Sequence, residues 1–157
     1  MCSSDLMTSS ATLWTNFVEG LRGRCLNTFA PPNLQSSAYG GTPDNVYGSG
    51  YFELEPDQAV IVEFTPPPCH YWNLQIGNHW LESFDFMQFH THVNGATAVA
   101  DEAGRVRVVI ARRDPGLPNW LDTAGHARGG LALRWVGAES IPYTKGRVVP
   151  LRDLKPS

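Results

Sequence analysis

Read for alternation, the chain divides at about residue 50. Beyond it, apolar and polar positions trade places with a period of two, the pattern of a strand with one face buried. Gln58 to Phe64 sets Val60, Val62 and Phe64 on one face and Ile61 and Glu63 on the other. Cys69 to Ile76 sets His70, Trp72, Leu74 and Ile76 against Cys69, Tyr71, Asn73 and Gln75. Val106, Val108 and Ile110 point inward, with Arg105, Arg107 and Ala111 opposite, and Leu131, Leu133 and Trp135 alternate with Ala132 and Arg134. Tyr51 to Leu54, Thr91 to Ala100 and Val148 to Leu151 add further strands, and Leu81 to Phe86 reads as an aromatic strand or bulge. Pro66 to Pro68 must end the strand before it, because proline cannot donate to a ladder.

Turn residues set the expected connections. Glu55-Pro56-Asp57 predicts a hairpin between Tyr51–Leu54 and Gln58–Phe64. The link 101–104, ending on Gly104, predicts a second between 91–100 and 105–112, with glycine at the positive φ. Seven or eight short strands with dense turns predict an all-β fold, an antiparallel β-sandwich or jelly roll. Ahead of it, Leu13, Phe17, Val18 and Leu21 recur at helical spacing after a Ser/Thr cluster, which predicts a short N-terminal helix over Thr12–Arg24. The stretch 27–50 is rich in turns, with Tyr39 and Tyr47 as anchors. The first six residues, MCSSDL, resemble a translated sequencing-adapter tail and are set aside. The domain reading is therefore a tail over 1–6, a lead-in over 7–39 left from a longer bacterial, metagenomic reading frame, and the β-sandwich over 40–157.

Composition narrows the function classes. Of 157 residues, 12 are basic and 15 acidic, for a net charge of −3 with no basic stripe, so nucleic acid is not an expected partner. No apolar run reaches the roughly 20 residues of a bilayer span, so no membrane is expected either. Cys2, Cys25 and Cys69 form no metal or disulfide spacing and read as reduced thiols in a cytosolic protein. No cofactor motif is present: GxSxG, HExxH, the P-loop and GxGxxG are all missing.

Several blocks in order, YGSGYFELEPDQA, HYWNLQIGNHWLES, NGATAVADEAGRVRVVIARRDPG and NWLDTAGH followed by LRW, resemble the bacterial domain of unknown function 1214. The resemblance covers about Gly40 to Leu151. It implies a β-sandwich of jelly-roll type that sits C-terminal to another domain of the same polypeptide, and it brings no activity or catalytic residue with it.

The candidate chemistry centres on Asp114 to His126, DPGLPNWLDTAGH, a long loop between two strands. Asp122 and His126, four apart, make a workable acid/base pair for a hydrolase or lyase. Trp80, Trp120, Asn119 and Asp114 make a ligand platform for a carbohydrate or other small molecule. The competing reading of the same loop is structural: Asn119 and Asp122 pin it by backbone hydrogen bonds while Trp120 plugs it. His90 and His92 share a strand face at metal-ligand spacing, with a third ligand to come from His79, Glu82 or Asp85; a solvated strand end is the alternative. Three functions remain open: a ligand-binding or inter-domain packing module, an enzyme at the Asp114–His126 loop, and a self-associating domain.

Overall fold

The computed structural model describes residues 3–31, 42 and 44–155, with side chains from residue 8 onward. Nine strands among these residues form two sheets. In chain order they are β1 (Thr28–Phe29), β2 (Asn45–Glu53), β3 (Gln58–Phe64), β4 (Tyr71–Ile76), β5 (His92–Asn94), β6 (Val106–Ala111), β7 (Trp120–Asp122), β8 (Arg128–Val136) and β9 (Lys145–Pro150). One sheet runs β1-β2-β8-β4-β5 and the other β7-β6-β3-β9. All pairings are antiparallel except β6 with β7, which is parallel, so the second sheet is mixed where an antiparallel one was expected.

The alternation decides which side chains meet. Val60, Val62 and Phe64 of β3, with Val106, Val108 and Ile110 of β6, share one core with Trp72, Leu74 and Ile76 of β4 and Leu131, Leu133 and Trp135 of β8. Phe64 sets its ring edge-on to both Trp72 and Trp135, with centroids 5.1 and 5.5 Å away. Each such side chain contributes roughly 1.5–3 kcal/mol by leaving water, which is why the period-two pattern governs the fold. The opposite face of the second sheet is also covered: Ala59, Ile61, Val109 and Ala111 lie under Leu117, Trp120, Leu151 and Leu154.

Both expected hairpins are absent. The Glu55–Gln58 turn forms, with Gln58 N–H donating to the Glu55 carbonyl at 3.1 Å, yet β2 pairs with β8 and β3 with β6 and β9. The Asp101–Gly104 turn also forms, but only a single bridge, Ala100 to Val106, ties the chain before it to β6, and β5 belongs to the other sheet. A tight turn reverses the chain in either case; whether it joins neighbours or carries the chain between sheets is decided by burial far away in sequence. Residues 81–86 form no strand, only an isolated Gly77–Ser83 bridge. The segment 114–126, expected to be structureless, contains β7.

The helix α1 spans Ser3–Arg24, longer than expected and continuous through residues set aside as a tail. Nothing between residues 3 and 19 breaks a helix, and the Ser/Thr cluster lies inside it: Thr12 Oγ1 donates back to the Thr8 carbonyl at 2.8 Å. Val18 and Leu21 bury against Tyr51 and Leu81 on the outer face of the first sheet, while Leu13 (68% exposed), Trp14 (54%) and Phe17 (44%) face outward. Tyr39, Gly40, Gly41 and Pro43 of the turn-rich stretch lie outside the described residues.

Candidate functional site

The segment 114–126 uses most of its polar side chains on backbone groups, within itself and of the neighbouring chain, while the buried Thr123 hydroxyl has no partner among the described residues. Asp114 Oδ1 accepts from Gly116 N–H at 2.7 Å, and Asp122 Oδ1 from Ala124 N–H at 2.9 Å. Asn119, 7% exposed, holds a left-handed backbone (φ 55°) and has three partners: Oδ1 accepts from Val99 N–H at 2.8 Å, and Nδ2 donates to the Val99 and Arg107 carbonyls at 2.7 and 2.9 Å. Trp120 Nε1 donates to the Ala111 carbonyl at 3.1 Å, with its ring against the outer cluster of the second sheet. No hydrogen bond joins Asp122 to His126 among the described residues, so the expected acid/base pair is not assembled.

The other expected groupings are separated too. Trp80 lies by α1 on the far side of the first sheet, whereas Trp120 and Asn119 belong to the second, so the three share no platform. His90 is exposed and His92 half-buried opposite Gln75 on β4. Among the described residues no three His, Cys, Asp or Glu side chains gather closely enough to hold a metal. Glu82 and Asp85 serve their own turns, Glu82 accepting from Asn78 Nδ2 at 2.6 Å and Asp85 from Met87 N–H and Gln88 Nε2.

What the fold does assemble is an open cleft of about 620 Å³ between α1 and the end of the first sheet, lined by Thr15, Glu19, Asn78, His79, Trp80, His126, Ala127 and Arg128. Three elements position it. Gly77 on one side and Gly130 of β8 exchange N–H···O bonds of 3.1 Å; a Cβ on Gly77 would sit 2.6 Å from the Glu82 carbonyl, so only glycine fits. Asn78 Oδ1 then accepts from Trp80 and Glu82 N–H groups at 2.9 and 3.0 Å and fixes the turn. The turn ends on Leu81 with φ 64°, a left-handed backbone that costs a branched side chain about 1–3 kcal/mol and that clusters at ligand sites. Leu81 is held there by Val18, Leu21 and Tyr51. The result is Trp80 thrown outward, 56% exposed, its ring 4.7 Å from that of His79. From the other side, the bend through Ala124 and Gly125 delivers His126, whose ring lies 4.8 Å from Phe84.

A polar chain backs the cleft. Tyr51, fully buried, meets His79 Nδ1 through its hydroxyl at 2.5 Å, and His79 Nε2 lies 3.7 Å from Glu19 Oε1. Burial pushes the Tyr51 phenol above its ordinary pKa, so it stays neutral. Arg22 donates through Nε and a terminal nitrogen to the two oxygens of Glu53 at 2.8 and 3.2 Å, holding that carboxyl below the usual range. A second cavity, of about 170 Å³, contrasts with it: Arg107 and Arg147 already bind Glu63, and Arg105 binds Asp101.

Of this site, sequence reasoning had Trp80 and His126, and named His79 only as a third metal ligand. It missed Tyr51, Glu19 and Arg128, which are brought together from α1, β2 and β8. The available signal was Gly-Asn followed by Glu at the fourth position, a self-fixing turn beneath an exposed Trp.

No family model and no curated protein sequence matches the chain. The crystal structure of an uncharacterised protein from Burkholderia cenocepacia is similar over 90% of this chain, with a TM-score of 0.84 and 36% sequence identity. That match covers 40% of the Burkholderia chain, so the present chain spans well under half the length of this relative. A protein from Vibrio parahaemolyticus matches over 68% of this chain and 32% of its own, with a TM-score of 0.51 and 17% identity, a likeness of fold alone.

Proposed function

We propose that the protein is a ligand-binding β domain that takes a ring-bearing small molecule, such as a carbohydrate, in the cleft of His79, Trp80 and His126. The observation that carries this reading is Trp80: a large apolar face held outward on a strained turn, at the rim of a cleft whose walls supply donors and acceptors. An indole face with polar groups around it is the combination that stacks on a ring and fixes its hydroxyls. Titration calorimetry of the full chain against neutral and acidic monosaccharides and small aromatic compounds tests it. Binding that weakens about tenfold or more in Trp80→Ala, with an unmoved melting midpoint, is the expected outcome; a panel that binds equally well without the indole removes the reading.

Two finer assignments belong to the same proposal. The two sheets over one core support a β-sandwich of jelly-roll type, and the ordered sequence blocks support membership of the bacterial domain of unknown function 1214 family. A second reading, packing against an upstream domain of the same polypeptide, is favoured by the outward face of Leu13, Trp14 and Phe17 together with the greater length of the Burkholderia relative. Such a face left bare should make the chain self-associate; sedimentation should show association that Trp14→Ser abolishes, and a monomer at all concentrations argues against it.

A further inference from the structure

The cleft is lined both by a cation without a direct ion pair and by an unused donor, and these say what kind of ligand fits. In the β2–β8 register Arg128 lies opposite Glu53, its natural cross-strand ion partner. Glu53 is chelated by Arg22 from α1, however; the Arg128 charge helps to hold that carboxyl low, but Arg128 makes no direct ion pair among the described residues and lines the cleft. The donor comes from His79. The buried Tyr51 hydroxyl has one partner among the described residues, His79 Nδ1, and a buried neutral phenol must place its proton on an acceptor. Tyr51 therefore donates to Nδ1, and the neutral imidazole carries its own proton on Nε2. At 3.7 Å from Glu19 that N–H makes no hydrogen bond, which leaves it open to an oxygen brought by a ligand. Glu19 lies 3.7 Å from the Arg22 guanidinium, so it shares that one cation with Glu53, and its carboxylate stays available as an acceptor for a ligand hydroxyl.

We propose that the cleft is selective for a carboxylate carried on a ring: the carboxylate bound by Arg128 and His79 Nε2–H, the ring lying on Trp80, as in an acidic sugar or an aromatic acid. A guanidinium presents a planar fork that matches a carboxylate, and charge-assisted bonds of this kind are the stronger ones. The assignment rests on the ligand-binding reading above and names the class of molecule for it.

The test compares matched acid and neutral pairs by titration calorimetry on the full chain: galacturonate with galactose, and benzoate with benzamide. The expected result is that each carboxylate binds about tenfold or more tighter than its neutral partner. That preference should vanish in Arg128→Gln, and carboxylate binding to the unmodified protein should weaken as ionic strength rises from about 50 to about 500 mM. The salt series needs no variant, so it decides the matter even where Arg128→Gln fails to fold. Equal binding of acid and neutral partner overturns this proposal and leaves the ligand-binding reading standing. A preference that survives in Arg128→Gln, or that ignores salt, overturns the role of Arg128. Silence from all four probes while other members of the broader panel bind overturns this proposal alone, and silence from every compound overturns both.

Discussion

Two regions of the protein are built from the same kinds of residue, Trp, Asn, Asp or Glu, and His, and they do different work. Around Asn119 the hydrogen bonds close on the protein: three made by one buried amide, one donated by the Trp120 indole and one accepted by each of Asp114 and Asp122, while the buried Thr123 hydroxyl has no partner among the described residues. Around Trp80 the matching stops one step short. Asn78 fixes its turn and Tyr51 fixes His79, but Trp80 and His79, so fixed, are left lining the cleft together with Arg128, which has no direct ion pair among the described residues. A residue type does not distinguish a clasp from a site. What distinguishes them is whether the last donor or acceptor in the chain of bonds ends on the protein or on open space.

The contrast breaks most visibly at Asn119. Replacing it by Ala orphans Val99 N–H, Val99 C=O and Arg107 C=O in a nearly closed setting and puts a Cβ-bearing residue without a local partner at φ 55°. Unsatisfied buried groups cost about 1–3 kcal/mol each, partly relieved by water, so a total loss of about 3 kcal/mol is expected. At this size that lowers the melting midpoint by roughly 6–12 °C. Ligand affinity of the folded fraction should not change. A midpoint that stays put would mean that the loop is not a clasp.

These two regions also differ in how far they could be read from sequence. The facing of Val60, Val62 and Phe64 against Ile61, and of Trp72, Leu74 and Ile76 against Tyr71, follows from a period of two within one strand, and the core agrees residue by residue. The Asp-Pro-Gly and Asp-Thr turns are equally local, so a structural role for Asp114 and Asp122 was open to inspection. Strand partners were not. The turn at Glu55–Gln58 has the same chemistry whether β3 pairs with β2 or passes to the other sheet, and the choice is made by β6, β8 and β9. The cleft was the least legible part. Tyr51 and His79 are 28 positions apart, and Arg22 reaches Glu53 across 31, so nothing short of the docked helix says that these groups are neighbours.

Tyr51 sharpens the comparison because it belongs to both kinds of region, buried like Asn119 yet serving a side chain that faces outward. Tyr51→Phe keeps the ring against Val18 and Leu21 and removes only the hydroxyl. The expected stability loss is about 1 kcal/mol, a midpoint lower by roughly 2–4 °C. Its larger signature should be chemical: with Nδ1 released, His79 is no longer confined to the tautomer that donates from Nε2, and any preference for a carboxylate over its neutral partner should shrink. Nitrogen chemical shifts of the His79 ring report the tautomer directly. An unchanged tautomer in Tyr51→Phe would show that Glu19, not Tyr51, orients the ring.

The smallest expected effect tests the claim that the second cavity is a closed account. Burial alone would raise the Glu63 pKa, but contacts from Arg107 at 3.0 Å and Arg147 at 3.4 Å outweigh it and hold the carboxyl below its usual value near 4.5. A carboxyl with a depressed folded-state pKa stabilises the fold above its unfolded value, and that contribution is lost as pH falls through the folded one. The pairs are partly exposed, so the contribution is about 0.5 kcal/mol, a midpoint difference of roughly 1–2 °C. Melting the protein and Glu63→Gln side by side from about pH 6 down to about pH 3 should show the parent ahead at the upper end and the gap closing toward the acid end. A gap that persists unchanged to low pH would mean that shape rather than charge holds Glu63. In that case Arg107 and Arg147 are as available to an outside anion as Arg128, and the distinction between the two cavities fails.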